Sequence, residues 1–335
     1  MNVALSPSSS DAFLQRVEHL LAERLRGEPH VLASQVTTYA TMQKGAKRFR
    51  PRLVQAFGQA LGLDQARLVT IATAVEMIHC ASLMHDDVVD DGMVRRGFPT
   101  ANATWGNPIA VLSGDVLLIH ALQLITDVSP HLTTIALDAI AQMSRAAIHE
   151  VQYDCQEHTS TDIWMAIAEG KTGALFELCG RAVARASERF ELENDLGLIG
   201  QAIGKAFQLT DDLVDFSTDS GKEYLTDIRF GRPNFVVLEA SSRSTAVRRR
   251  FSEAATKSRP LALRESEELA SLVKQTGALQ EGVSLVSGYI DAVIQSLQKL
   301  PQNEGVDAIA FWSNALRQKS RSLLLQDTPI ESRMQ

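Results

Sequence analysis

Between Gln65 and Asp91, the residues Leu68, Ala72, Val75, His79, Ser82, Asp86 and Asp90 follow one another at steps of three or four. That spacing stacks side chains on one face of an α-helix. It recurs through the chain in long segments separated by short Gly, Asn or Pro turns. A first helix is expected up to about Arg26, capped by Ser10 or Asp11, with a second short helix after it. Further helices are expected over Asn107–Asp127, Leu132–Gln156, Asp162–Arg189, Glu193–Ser217, Pro233–Ala240, Ser244–Thr256, Leu263–Thr276, Leu279–Leu300 and Val306–Gln318. Nothing alternates in the two-residue manner of strands. The expected fold class is all-α, a single large helical bundle. No Pro/Ser-rich linker divides the chain. The expected layout is therefore a disordered stretch over 1–10, one helical domain over 11–320 and a tail over 321–335.

Composition bounds the rest. A chain of 335 residues is long enough for one large helical domain with a deep core. A net charge of −7 argues against nucleic acid as a partner, so any functional basic residues must act locally. Cys80, Cys155 and Cys179 lack C-x-x-C spacing and read as buried thiols of a reducing compartment. The start, MNVALSPSSSDAF, lacks the order of a signal peptide, and the end, ESRMQ, is not a prenylation box. The most apolar run, Ile109 to Ile125, is interrupted by Asp115, so no transmembrane segment is expected. The expected location is the cytoplasm.

Two carboxylate triplets carry the chemistry. Residues 77–99 read MIHCASLMHDDVVDDGMVRRGFP, and residues 207–216 read FQLTDDLVDF. In the first, Asp86 and Asp90 stack one turn apart and Asp87 leans in from the side; Asp211, Asp212 and Asp215 repeat the spacing on a second apolar segment. Like charges so close repel. Two such clusters are better explained by bound cations and a shared diphosphate than by two solvated helix ends. Oxygen-only ligands that are hard and few favour Mg²⁺, which shares its shell with water and phosphate.

Around these lie local cations. Lys44, Lys47, Arg48, Arg50 and Arg52 surround a turn, KGAKRFRP, that Gly45 and Pro51 break. Forked guanidinium donors with a free ammonium suit a diphosphate that brings no metal; the ordinary reading is a solvated charge run. His79 shares the face of Asp86, two turns earlier, and can donate to phosphate. Arg95 and Arg96 occupy the turn after the first triplet, and Lys171 and Thr172 are unusual charged and hydroxyl residues in the Ala/Gly/Leu-rich helix of EGKTG, whose ordinary reading is an interruption at Gly170 and Gly173. Gln208 lies three residues before Asp211, on its face. His85 points about 100° away from Asp86 and is read as structural. His149-Glu150 opens a zinc-like pattern, but the next His is His158, which is not at helical spacing, so zinc is rejected.

Taken together in this order, the basic turn, both D-D-x-x-D motifs and the EGKTG between them resemble the trans-type polyprenyl diphosphate synthases, close to long-chain bacterial octaprenyl and solanesyl synthases. The resemblance runs from about Gln35 to Arg317. It implies an isoprenoid synthase helical fold with a central cavity, a Mg²⁺ cofactor and a homodimer. It implies that Lys47, Arg50, His79 and Arg96 hold isopentenyl diphosphate and that Arg95 holds the allylic diphosphate. Lys171 becomes a diphosphate ligand near the developing cation, Thr172 its neighbour, and Gln208 and Lys222 further substrate contacts. The catalytic set it implies is Asp86, Asp87, Asp90, Lys171, Asp211 and Asp212, with Asp86, Asp90 and Asp211 on the metal. Lys44, Arg48 and Arg52 keep the solvated reading. The pattern departs at Ala46, where a Gly is common, at Asn234-Phe235-Val236, where Thr-Leu-Pro is usual, and in a short connection from Asp215 to Gly221.

The implied reaction is 1'-4 trans condensation of an allylic diphosphate with successive isopentenyl diphosphate units, to a long all-trans chain for a quinone side chain. Small residues one turn before the first triplet, Ala81 and Ser82, favour a long product, because an aromatic there stops elongation in the family. The tunnel is expected to continue past Ile78 and Val75, with a floor from Leu118, Leu122 or Ile125. Rival readings are a shorter-chain farnesyl or geranylgeranyl synthase, a class I terpene cyclase and a non-catalytic partner subunit. TDDLVDFSTD lacks the cyclase's second motif, and neither Asp cluster is lost, as it would be in a partner subunit.

Overall fold

Capping residues decide where the periodic segments begin and end. The computed structural model describes residues 7–43, 45–153, 160–217, 224–255 and 260–325. In chain order the helices are α1 (Pro7–Arg26), α2 (Val31–Thr41), α3 (Phe49–Leu61) and α4 (Gln65–Val89). A two-stranded hairpin follows, β1 (Val94–Arg95) against β2 (Phe98–Pro99), turning through Arg96 and Gly97 at positive φ. Next come α5 (Ala101–Trp105), α6 (Asn107–Val128), α7 (Pro130–Tyr153), α8 (Thr161–Ala168), α9 (Ala174–Ala186) and α10 (Glu193–Val214). The last are α11 (Thr226–Phe230), α12 (Phe235–Arg243), α13 (Thr245–Ala255), α14 (Leu263–Gln275), α15 (Ala278–Leu297) and α16 (Glu304–Leu325).

Several boundaries differ from the expected ones for local reasons. α1 starts at Pro7, a turn before the expected caps, because proline fits a first turn whose N–H groups have no partner. Pro51 does not break the basic turn; it lies in the first turn of α3, where it is tolerated for the same reason. The segment expected as one helix over 162–189 is α8 joined to α9 through a π-helical turn, Glu169–Gly173. Residues 1–6, 218–223 and 326–335 lie outside the described residues, and with them Gly221, Lys222 and most of the expected tail.

Contacts divide the chain into two units. The first comprises Met1–Ile140, Leu175–Gly200 and Leu300–Ile309. Its axis is α4, opened by Asp64, whose carboxylate accepts from the N–H groups of Ala66 and Arg67 at 3.0 Å. From Leu68 to Ile78, apart from Thr70, α4 is buried on every face, which is why its apolar pattern is not confined to one stripe. It opens only at His79, Ser82, Leu83 and the residues beyond. In the same unit α9 and α10 cross closely: a Cβ on Gly180 would lie 2.1 Å from the Leu196 carbonyl oxygen, and one on Gly200 2.2 Å from that of Phe176.

The second unit comprises Ala141–Ala174, Gln201–Lys299 and Ala310–Gln335. Its core gathers Leu209 and Leu213 of α10 with Phe235, Val236 and Val237 of α12, and Val283, Val286 and Ile290 of α15. Trp164 of α8 meets Phe235 edge-on at 5.4 Å. That packing explains the departure at Asn234-Phe235-Val236: Asn234 caps α12 by accepting from Val237 N at 3.0 Å, and Phe235 fills the space against Trp164. By length and composition alone, α4 and α6 could cross a membrane. The single Asp115 does not take α6 out of that class; in α4 most of the apolar window is buried inside the protein.

Candidate active site

In the first unit the basic turn resolves into residues with different duties. Lys47 is exposed. Arg50 stacks over the Phe176 ring at 4.9 Å, and its Nε is buried without a hydrogen-bond partner. Burial lowers its pKa, partly offset by the Glu76 carboxylate. Arg48 does not behave as a solvated charge. Its side chain is 4% exposed and donates to Glu76 Oε1 and to the Thr41 carbonyl, both at 2.7 Å. Arg52 approaches Asp11 at 4.0 Å, and Lys44 lies outside the described residues.

His79 occupies the open end of α4 amid this positive charge. Burial, and then the charges of Arg50, Arg96, Arg95 and Arg48, hold its imidazole well below the usual pKa. It is therefore neutral at pH 7. Its neighbourhood has charge to offer an anion and no need of another proton.

The first carboxylate triplet splits. Asp87 is buried, and Arg95 grips it, Nη2 to Oδ1 at 2.7 Å and Nε to Oδ1 at 2.9 Å. Gly92 N donates to the Asp87 carbonyl at 2.8 Å, and Asn102 donates to the carbonyls of both Asp87 and Gly92. Asp86 remains partly exposed and Asp90 exposed. His85 turns to α6, 3.2 Å from the Val111 carbonyl and 3.5 Å from Asp115. Ala81 is 0% exposed, as are Val75 and, within 1%, Ile78, whereas Ser82 is partly exposed with its hydroxyl on the His79 carbonyl. Along this side of α4 the accessible side chains are His79 and Ser82, while Ala81, Ile78 and Val75 are buried in this structure. On α6, Ile125 is fully buried and Leu118 and Leu122 are partly so.

The second unit carries the other triplet, and there two of the three carboxylates, Asp212 and Asp215, are buried. Asp215 accepts from Thr226 N at 2.9 Å and Asp227 N at 3.1 Å, capping α11. Asp212 is buried and accepts from Phe235 N at 2.8 Å and from Gln208 Nε2 at 3.3 Å. Burial, and after it the charge of Asp227, raises its pKa well above the usual carboxylate range. Gln208 Oε1 in turn accepts from the Thr172 hydroxyl at 2.9 Å. One chain of hydrogen bonds therefore ties the π-helical turn to α10 and the start of α12. Such a turn displaces side chains from the α-helical register and often marks function. Here it carries Lys171, which pairs with Glu150 of α7. Asp211 is partly exposed.

The thiols fit their expected role. Burial pushes Cys80 and Cys179 up to about 12, so both are inert at neutral pH. Cys155 lies outside the described residues. Sequence reasoning missed Glu76 and Asn102, and met Glu150 only in a rejected zinc pattern. A lone acidic or amide residue on a helix carries no motif; the one available signal was a Glu inside the apolar run of α4.

Comparison with known proteins gives the family. The polyprenyl synthetase pattern matches residues 31–273. The nonaprenyl diphosphate synthase of Mycobacterium tuberculosis is 36% identical over 68% of this chain and 69% of its own length. The octaprenyl diphosphate synthase of Haemophilus influenzae is 29% identical over 90% and 92%. The crystal structure of a decaprenyl diphosphate synthase from Rhodobacter capsulatus superposes with a TM-score of 0.84 at 28% identity, covering 93% of this chain and 97% of that one. The all-α fold is that of the isoprenoid synthases, and the chain belongs to the polyprenyl synthetase family.

Proposed function

We propose that this trans-polyprenyl diphosphate synthase, a chain-elongating prenyltransferase, makes a long all-trans product destined for a quinone side chain and needs Mg²⁺ to do so. The observation that carries the substrate assignment is the cluster of arginines around a neutral His79, with the buried Arg50 Nε unpartnered. Arg50, half-buried with that nitrogen unpartnered, is placed to donate to an anionic ligand. Lys47, Arg50, His79 and Arg96 hold the diphosphate of isopentenyl diphosphate; Arg95 and Lys171, with Thr172 and Gln208, hold that of the allylic partner. Lys222 belongs to the same assignment but lies outside the described residues.

The donor set fits Mg²⁺. Asp86, Asp90 and Asp211 are the triplet members with accessible carboxylates, and they are assigned as its ligands. Among the described residues, no three His, Cys, Asp or Glu side chains form a ready cage. Hard carboxylate oxygens suit an ion that completes its shell with water and phosphate. When bound, Mg²⁺ supplies Lewis-acid stabilisation of the leaving diphosphate. Asp87 and Asp212 are moved from the catalytic set to positioning roles, on Arg95 and Gln208 respectively.

The residues bind and orient. Arg95 and Lys171 balance charge as the allylic carbon–oxygen bond breaks, and Arg50 and His79 fix the isopentenyl double bond for attack on the allylic carbon. The departing diphosphate takes the proton that restores the double bond. Support for the long product comes from the nonaprenyl and octaprenyl relatives and from Ser82, which leaves room on the open face of α4. A homodimer in the cytoplasm completes the reading.

The deciding experiment incubates the purified chain alone with labelled isopentenyl diphosphate and several allylic primers, with and without excess chelator, and sizes the products. Chain growth that chelator abolishes is expected; products of one addition only, or growth in chelator, would overturn the reading. Arg50→Ala should raise KM for isopentenyl diphosphate about 10- to 100-fold, the range of a charged hydrogen bond, and barely move the allylic KM.

A further inference from the structure

Arg48 stands apart within the basic turn. It is one of the few non-glycine residues of the described chain at positive φ, φ 49 and ψ 40, and it occupies the position before α3 without capping it through its side chain. Residues with a Cβ rarely adopt that conformation unless their surroundings impose it. Here the imposing contacts come from three helices: Glu18 of α1 at 3.4 Å, the last carbonyl of α2 at Thr41, and Glu76 of α4. Glu76 lies three residues before His79, on the adjoining face of the same helix. Both side chains of the Arg48–Glu76 pair are 4% exposed, so neither presents a face to a ligand. The neighbours on either side behave differently: Lys47 is exposed and Arg50 is held over Phe176.

We propose that Arg48 and Glu76 form a positioning pair, whose buried clamp sets the left-handed turn that presents Lys47 and Arg50 to isopentenyl diphosphate. The inference rests on the substrate assignment made above for Lys47 and Arg50. The pair's second effect is electrostatic. Glu76 is the leading opposite charge acting on both Arg48 and Arg50, so one buried carboxylate lets two arginines share a small volume with His79. A guanidinium is required because its planar fork reaches Glu76 and the Thr41 carbonyl together, which a single ammonium cannot do with the same geometry.

The test is steady-state kinetics on the full chain with each substrate varied in turn, for Arg48→Gln, Glu76→Gln, Arg48→Lys and Arg50→Ala, alongside melting temperatures. The Gln variants should raise KM for isopentenyl diphosphate by about tenfold or more, the scale of a small misplacement of binding groups. KM for the allylic diphosphate should stay within about twofold. Arg48→Lys should fall between wild type and Arg48→Gln. A lower melting temperature with both KM values unchanged, or equal rises in both, would overturn the pairing. If Arg48→Gln does not fold, Arg48→Lys decides, and a wild-type KM for isopentenyl diphosphate in that variant refutes the proposal. Arg50→Ala separates the two layers: if it leaves that KM unchanged, the substrate assignment falls; if it raises KM while the Arg48 and Glu76 variants do not, only the positioning pair falls.

Discussion

At the scale of single residues, burial sorts side chains that a motif treats alike. Both D-D-x-x-D triplets are acidic throughout, yet Asp87, Asp212 and Asp215 are taken by Arg95, by Phe235 N and Gln208, and by the start of α11. His79 gives this sorting a pH signature. Its folded pKa is lowered, by burial first and by four arginines after that, from an unfolded value of about 6.5. Below that value the unfolded chain takes up a proton that the native imidazole refuses, so stability is intact above about pH 6.5 and falls as pH drops. One such proton costs up to about 1.4 kcal/mol per pH unit. Urea midpoints of the ligand-free protein, followed from about pH 7.5 to 5.5, should therefore fall more steeply for wild type than for His79→Gln. Parallel slopes would show that His79 titrates normally. The fate of Arg48 was not legible in the same way, because KGAKRFRP reads as one charge run and only the buried Glu76, remote in sequence, separates Arg48 from its neighbours.

At the scale of elements, helix existence was legible and helix surroundings were not. The steps of three and four located α4 from Gln65 to within two residues of its end, because capping by Asp64 and the apolar run are local. The same steps could not show that residues 68–78 are buried almost all round, since that depends on α1, α3 and α6 closing over them. The π-helical turn in EGKTG was equally hidden; its glycines read as an interruption, whereas the chain keeps winding and ties Thr172 to Gln208. The two candidate length-setting residues consequently separate. Ser82→Phe adds a ring on the accessible wall of α4 and loses one hydroxyl bond to the His79 carbonyl, a cost of about 1 kcal/mol. It should stay active and shorten the main product. Ala81→Phe forces a ring into a fully buried position, and overpacking there should cost about 1–3 kcal/mol or more. Product sizing by reversed-phase chromatography, with melting curves for both variants, checks the pair. A Ser82→Phe enzyme that still makes wild-type-length chains would remove this face from length control.

For the whole molecule, the open question is what meets the outward side of α6. Val111, Leu112 and Ile119 are 37%, 61% and 54% exposed and share one side of the helix with Asp115 among them. Exposed apolar side chains grouped on one helix side, with a polar residue among them, are the kind of surface used in protein or membrane contacts. A second copy is the occupant that the homodimer reading supplies, and Asp115 favours it, since a carboxylate facing lipid is costly whereas one at a protein interface can find a hydrogen-bond donor. The net charge of −7 points the same way, because an acidic protein is repelled by anionic lipid. Sedimentation equilibrium of wild type should therefore give twice the 36.6 kDa chain mass, and Leu112→Glu/Ile119→Glu should shift it toward monomer with its helical circular dichroism retained. Flotation with anionic vesicles supplies the contrary outcome: a wild-type monomer that floats, and a double variant that no longer does, would assign the strip to the membrane.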